Sequence, residues 1–138
     1  MDTSRKHIDF LYKLRASIGC AFEILEGRIE EYGQTIERRE IYDLVVSRAV
    51  AKMNILAEYG LPLVKTGGYF LAMKGQAGEI EARDAEPVIQ MLGGEIDNIK
   101  DIVLPDNSKR VLIKVLKTRQ TPVEYPRRIG VPEKKPLL

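Results

Sequence analysis

The 138-residue chain has a single cysteine, Cys20, and a single histidine, His7. A lone cysteine forms no internal disulfide, which suits a reducing compartment. Beside apolar neighbours, Cys20 is expected to be a small buried hydrophobe. A lone histidine without a partnering cysteine excludes the usual zinc spacings and leaves no credible Ser-His-Asp or Cys-His set. No apolar run approaches the ~20 residues of a membrane span, and no signal peptide is evident, so a soluble, cytoplasmic protein is expected. No G-x-G-x-x-G occurs, which removes the usual cofactor loop. Gly75-x-x-Gly78 precedes a helix but lacks the Lys-Ser/Thr of a P-loop. No internal repeat is present. Charge of one sign is missing too: the balance is +2 with 30% charged residues, which gives no strong vote for nucleic acid.

The distribution of charge says more. From Lys117 onward there are six Lys or Arg against two acids, while the rest has sixteen against eighteen. A mildly acidic body carries a basic tail.

The stretch from Tyr42 to Gly75 organises the remainder. Leu44 to Val46 is a short β-branched apolar run, which suits a strand buried on both faces. Tyr69 to Met73 is a second such run, reached through Gly67-Gly68. Between them Met53, Leu56, Tyr59 and Leu63 recur at helical spacing, the stripe of one buried face. Strand, helix and strand make a βαβ unit with parallel strands. Ligands of open parallel sheets sit beyond the carboxyl ends of the strands, here marked by Ser47-Arg48 and Lys74-Gly75.

Before this unit, Thr3 or Ser4 is expected to cap a helix whose face is Ile8, Leu11, Leu14 and Ile18, widened by Phe10 and ending at Gly19. Cys20 to Leu25 reads as a strand, and Gln34 to Ile41 as a short surface helix. After it, Glu79 to Leu92 is helical in composition but broken or restarted at Pro87, and Gly93-Gly94 stops it. Glu95–Leu104 and Lys109–Lys117, joined by Pro105-Asp-Asn-Ser108, form an antiparallel hairpin. Pro122, Pro126 and Pro132, beyond Thr118, predict an extended tail without regular structure. The order is that of an α/β sheet ending in a reversed hairpin.

Each candidate site has a plainer structural reading. Asp2 stands where an acid follows what could be the last residue of a lost strand and can accept from ribose hydroxyls, and is otherwise a frayed terminal residue. Glu30, just after the Cys20–Leu25 stretch, could face a ligand too, and is otherwise a solvated loop acid. Arg48, at a strand tip, either faces a ligand or pairs with Asp43 or Glu30. Lys74 either faces the same rim or snorkels. The tail from Tyr125 combines four cations, an aromatic ring and stiff backbone, which can follow a phosphate chain; otherwise it is a solvated end.

Several stretches together resemble the small-subunit ribosomal RNA methyltransferase G family, also called glucose-inhibited division protein B. They are Asp2-Thr3-Ser4-Arg5-Lys6, Gly27–Glu31, Val46–Ala51, Leu61–Val64, Gly67–Gly75 and Tyr125–Leu137, and they span nearly the whole chain. The resemblance implies a Rossmann-like class I methyltransferase fold. It implies that S-adenosylmethionine binds across the sheet and that N7 of a guanine in 16S ribosomal RNA is methylated. The partner is then that RNA or a precursor of the small ribosomal subunit, with no membrane involved. Asp2, Thr3 and Ser4 would lie at the ribose, Ile29 and Glu30 would border the adenine, and Arg48 would line the cofactor and reaction pocket. Lys74, Tyr125, Arg127, Arg128, Lys134 and Lys135 would meet RNA.

Family members begin with a helical segment, a strand and a glycine-rich loop that have no counterpart here. The resemblance therefore implies an amino-terminally truncated domain over residues 1–117, lacking the first two strands, and an extended basic tail over 118–138. A gap or altered pairing is expected on the amino side of Leu44, filled by a missing amino-terminal segment or a second chain. The competing readings are a non-catalytic α/β remnant that binds RNA through its tail, and a nucleotide-phosphate binder using Gly75–Gly78.

Overall fold

A computed structural model describes residues 1–48 and 51–138. Ala49 and Val50, the end of the Ser-Arg-Ala-Val stretch, lie outside the described residues. Helices α1 (Arg5–Ile18) and α2 (Ile29–Tyr32) come first. They are followed by strand β1 (Tyr42–Arg48), helix α3 (Met53–Gly60), a 3-10 turn at Leu61–Leu63 and strand β2 (Val64–Lys74). Then come α4 (Gly78–Asp84), α5 (Glu86–Met91), β3 (Gly94–Val103), β4 (Lys109–Lys117) and the single turn α6 (Val131–Lys134). The four strands form one sheet in the order β1-β2-β4-β3.

The βαβ reading of the centre matches the structure: β1 and β2 run parallel, with Leu44 opposite Tyr69 and Arg48 opposite Met73. The register slips between Tyr42 and Leu44, where Gly67 takes a positive φ of 86°. A Cβ on Gly68 would stand 2.6 Å from the Asp43 carbonyl oxygen. Only glycine lets the two backbones approach this closely. The hairpin also matches, as β4 pairs antiparallel with both β2 and β3. Pro87 lies in the first turn of α5, where its missing N–H costs nothing, so the helical stretch restarts instead of kinking.

Helices α3, α4 and α5 cover one face of the sheet. Phe70, Ala72, Ile113 and Val115 on that face are buried with Leu56, Leu61, Val88 and Ile89 from the helical layer. Buried apolar area of this kind stabilises at about 25 cal/mol per Å². The opposite face is open, and here the structure departs from expectation. Leu44 is 53% exposed and Val46 49%, so β1 is not buried on both faces. An unbroken apolar run normally marks a strand between two neighbours, but β1 is the outer strand of this sheet.

Other expectations fail for related reasons. Cys20 to Leu25 forms no strand, and only an isolated parallel bridge joins Asp2 to Glu26. Cys20 is exposed, because the stretch that would have buried it joins no sheet. Gln34 to Ile41 makes consecutive turns instead of a helix, and Glu40 sits at a left-handed φ of 53° that no helix continues through. Ser4 occupies the cap position of α1, yet its side chain makes no cap hydrogen bond. The tail is not featureless: it folds back on the body and includes α6.

Candidate functional site

A cleft of about 590 Å³ separates the outer edge of β1 from the amino-terminal segment. It is the gap expected beside Leu44. One wall is Leu44 to Arg48 on β1, the other Met1 to Thr3 with Leu25 and Gly27 to Glu30, and Leu56, Tyr59 and Phe70 form its base. The second wall is held without a sheet. Asp2 N–H donates to the Leu25 carbonyl at 3.1 Å and Gly27 N–H to the Asp2 carbonyl at 3.1 Å. Arg38 binds the Glu23 carboxylate with two nitrogens at 2.8 and 2.6 Å and donates to the Tyr42 hydroxyl at 3.0 Å, which ties that wall to the start of β1.

The cleft gathers the carboxylate and strand-tip candidates. Asp2, Thr3, Ile29, Glu30 and Arg48 all line it; Ser4 is not part of its lining. The Ser4 backbone N–H, 2.7 Å from Asp2 Oδ1, and His7 Nδ1, 3.1 Å from Oδ2, face the Asp2 carboxylate. The Ser4 N–H, then the His7 contacts, hold the Asp2 carboxyl below the ordinary carboxylate value. A carboxylate offers about four lone-pair sites, so Asp2 keeps acceptor capacity towards the cleft.

Glu30 is 3% exposed. Its Oε1 accepts from Gly130 N–H at 3.0 Å and from the Tyr59 hydroxyl at 3.4 Å, which explains how a carboxylate is tolerated there. Arg48 is exposed at the carboxyl tip of β1. Among the described residues no carboxylate pairs with it: Asp43 pairs with Lys65, and Glu30 is engaged as above.

Lys74 ends β2 at the same edge of the sheet as Arg48, on a parallel neighbour, but one residue out of register. Successive side chains alternate faces, so the two cations point to opposite sides. Lys74 is 7% exposed; its Nζ donates to the Ala51 carbonyl at 2.6 Å and pairs with Glu81 at 2.7 Å. The role expected for Lys74 towards RNA is therefore corrected: its ammonium is spent on Glu81 of α4 and on the Ala51 carbonyl ahead of α3.

The tail divides in the same way. Arg128, Lys134 and Lys135 are exposed. Tyr125 packs against the core, and its hydroxyl faces Met91 Sδ at 3.9 Å. Arg127 donates from its backbone N, Nε and Nη2 to the Glu58 carboxylate at 2.8, 2.9 and 2.7 Å. Arg127 is thus engaged within the fold, while Tyr125 stays partly exposed.

Sequence reasoning missed Arg28, Tyr59 and Glu133, which also line the cleft. By spacing alone Tyr59 belongs to a core stripe. Its hydroxyl donates to Glu30 at 3.4 Å and to Glu133 at 3.3 Å. Burial first, then these two carboxylates, push the phenol well above its ordinary range. No periodicity argument reveals such a group, because its ring is core while its hydroxyl is site.

This sheet, with helices α3 to α5 on one face and a reversed last strand, is the Rossmann-like methyltransferase fold in a four-stranded form. The 16S rRNA (adenine(1408)-N(1))-methyltransferase from Catenulisporales acidiphilia, in its structure with cosubstrate SAM, shares it. The TM-score is 0.51 at 10% identity over 71% of this chain and 59% of that one. Residues 1–111 match the family model described as GidB, rRNA small subunit methyltransferase G. The chain belongs to that family. It is 43% identical to the ribosomal RNA small subunit methyltransferase G of Lactobacillus acidophilus, over 99% of this chain and 58% of the relative. With the protein of the same name from Symbiobacterium thermophilum it shares 46% identity over 86% of this chain and 49% of that protein. The chain thus spans 58% or less of the length of these relatives.

Proposed function

We propose that this chain supplies the ribose- and adenine-facing half of an S-adenosylmethionine site, and the surface that receives 16S ribosomal RNA for methylation of a guanine at N7, in the cytoplasm. The observation that carries this reading is the meeting of Asp2, Ile29, Glu30 and Arg48 in one cleft at the rim of β1. The residues present fit the group. The cleft volume lies within the ~300–1,000 Å³ of small-molecule sites. Asp2 offers a charged acceptor suited to paired hydroxyls, Ile29, Leu44 and Leu56 offer apolar wall for a purine, and the acids favour a cationic ligand.

S-adenosylmethionine would supply a methyl group on a positively charged sulfur. The work left to the chain is placement. Guanine N7 carries a lone pair and no proton, so no general base is required once it is held in line with the methyl. Arg48, exposed at the tip of β1, has donors available for an acceptor on the base or the cofactor. The exposed Arg128, Lys134 and Lys135 supply charge for the RNA backbone.

Calorimetry with S-adenosylmethionine tests the reading. Micromolar binding that weakens about tenfold or more in Arg48→Ala supports it. No binding at millimolar ligand favours the second reading, a non-catalytic remnant that binds RNA through its tail. The open outer edge of β1 is the observation behind that alternative. A further segment or a second chain paired along this edge would complete the sheet.

A further inference from the structure

We propose that the carboxyl-terminal segment from Thr121 to Leu137 is a strap that joins the α2 wall of the cleft to its α3 base, and that Arg127 is a positioning residue for the cleft. It rests on the cofactor reading above only for the identity of the ligand. The strap touches both sides at named points. On the α3 side, Arg127 closes its fork on Glu58, whose side chain is 1% exposed, and Asn54 Nδ2 donates to the Leu137 carbonyl at 2.5 Å. On the α2 side, Gly130 N–H donates to Glu30 at 3.0 Å and Gln34 Nε2 to the Pro126 carbonyl at 2.7 Å. Arg39 donates to the Tyr125, Thr121 and Pro122 carbonyls at 2.6, 2.8 and 3.1 Å. Between the sides, Glu133 from α6 shares the Tyr59 hydroxyl with Glu30.

Packing points the same way. A Cβ on Gly33, at the end of α2, would meet Pro126 Cγ at 2.7 Å, so the strap lies directly on that helix. Among the described residues, the direct hydrogen bond from α2 to α3 is the long 3.4 Å contact between Tyr59 and Glu30. The strap is the stronger connection. Arg127 cannot leave it for a phosphate without stranding a buried carboxylate, which is costly.

The test uses the full chain and four variants, Arg127→Gln, Arg127→Lys, Gly33→Ala and Arg128→Gln. Three readouts are taken: calorimetry with S-adenosylhomocysteine, affinity for a short guanine-containing RNA as a function of salt, and NMR titration of Tyr59. Arg127→Gln is expected to weaken S-adenosylhomocysteine about tenfold while leaving the RNA salt slope unchanged. Arg127→Lys, which keeps the charge, is expected to recover part of that loss. In Arg127→Gln and in Gly33→Ala, which leaves the ion pair intact, the Tyr59 phenol is expected to move down towards its ordinary value of 10.0. Arg128→Gln should show the reverse pattern, lowering the slope by about one and sparing the ligand. The proposal is overturned if Arg127→Gln lowers the RNA slope as Arg128→Gln does. It is also overturned if neither Arg127→Gln nor Gly33→Ala moves Tyr59. Should the unaltered chain bind no S-adenosylhomocysteine, the cofactor reading fails, and the Tyr59 titrations alone decide the strap.

Discussion

Lys117 is a fully buried charge. Its side chain is 0% exposed and lies 2.9 Å from Glu40, and Nζ also donates to the Leu61 carbonyl at 2.5 Å and the Thr121 hydroxyl at 2.7 Å. Removing one partner of a buried pair leaves the other uncompensated, so Lys117→Met should cost about 3–5 kcal/mol in denaturant unfolding. Adding Glu40→Gln should return part of that loss, which a double-mutant cycle would read. Burial holds Lys117 below its ordinary 10.5, with the Glu40 pair opposing. The unfolded chain therefore binds this proton more tightly, and stability should climb as pH rises through the window ending near 10.5. Lys117→Met should flatten that climb. None of this was visible in the sequence, where Lys117 reads as one cation of a basic tail. Lys74 misled for the same reason. Lysine at a strand end looks the same whether it meets solvent or a carboxylate four residues into the following helix.

At the scale of elements, legibility followed whether a segment carries its own partner. The βαβ unit and the hairpin bring both strands of each pairing within a short stretch, and their periodicity described them correctly. Cys20–Leu25 has strand composition but no adjacent strand to bond, and it stays irregular. The run Leu44–Val46 was legible as a strand and misread in its burial, because burial depends on what lies beside it. Along the amino-terminal helix only Ile8 of the expected face is fully covered, while Phe10 is 60% and Ile18 56% exposed. The same logic yields a test at β1. An exposed apolar outer strand is a template for pairing between molecules. Leu44→Lys, at a side chain 53% exposed, should change unfolding stability by no more than about 0.5 kcal/mol. It should reduce concentration-dependent association in light scattering. Unchanged association would mean that the outer edge of β1 is not where copies meet.

Taken whole, the molecule separates its charges by depth. The net balance of +2 hides a segment with two sides. Its inner side carries Arg127 on Glu58, Gly130 on Glu30 and Glu133 at the cleft, and its outer side carries Arg128, Lys134 and Lys135 in solvent. The same segment would therefore shape the ligand site and bring the nucleic acid to it, which is why composition alone cast no vote. Each lysine or arginine that neutralises a phosphate releases a counterion and steepens the salt dependence of binding by about 0.7–0.9. Changing Arg128, Lys134 and Lys135 together to Ala should thus lower the slope of log affinity against log salt by roughly two to three. It should leave S-adenosylhomocysteine binding untouched, because none of the three lines the cleft. A slope that survives the triple change would move the RNA surface off the tail and onto the open face of the sheet. There, Lys114 lies 4.0 Å over the Tyr69 ring and pairs with Asp97 at 2.9 Å.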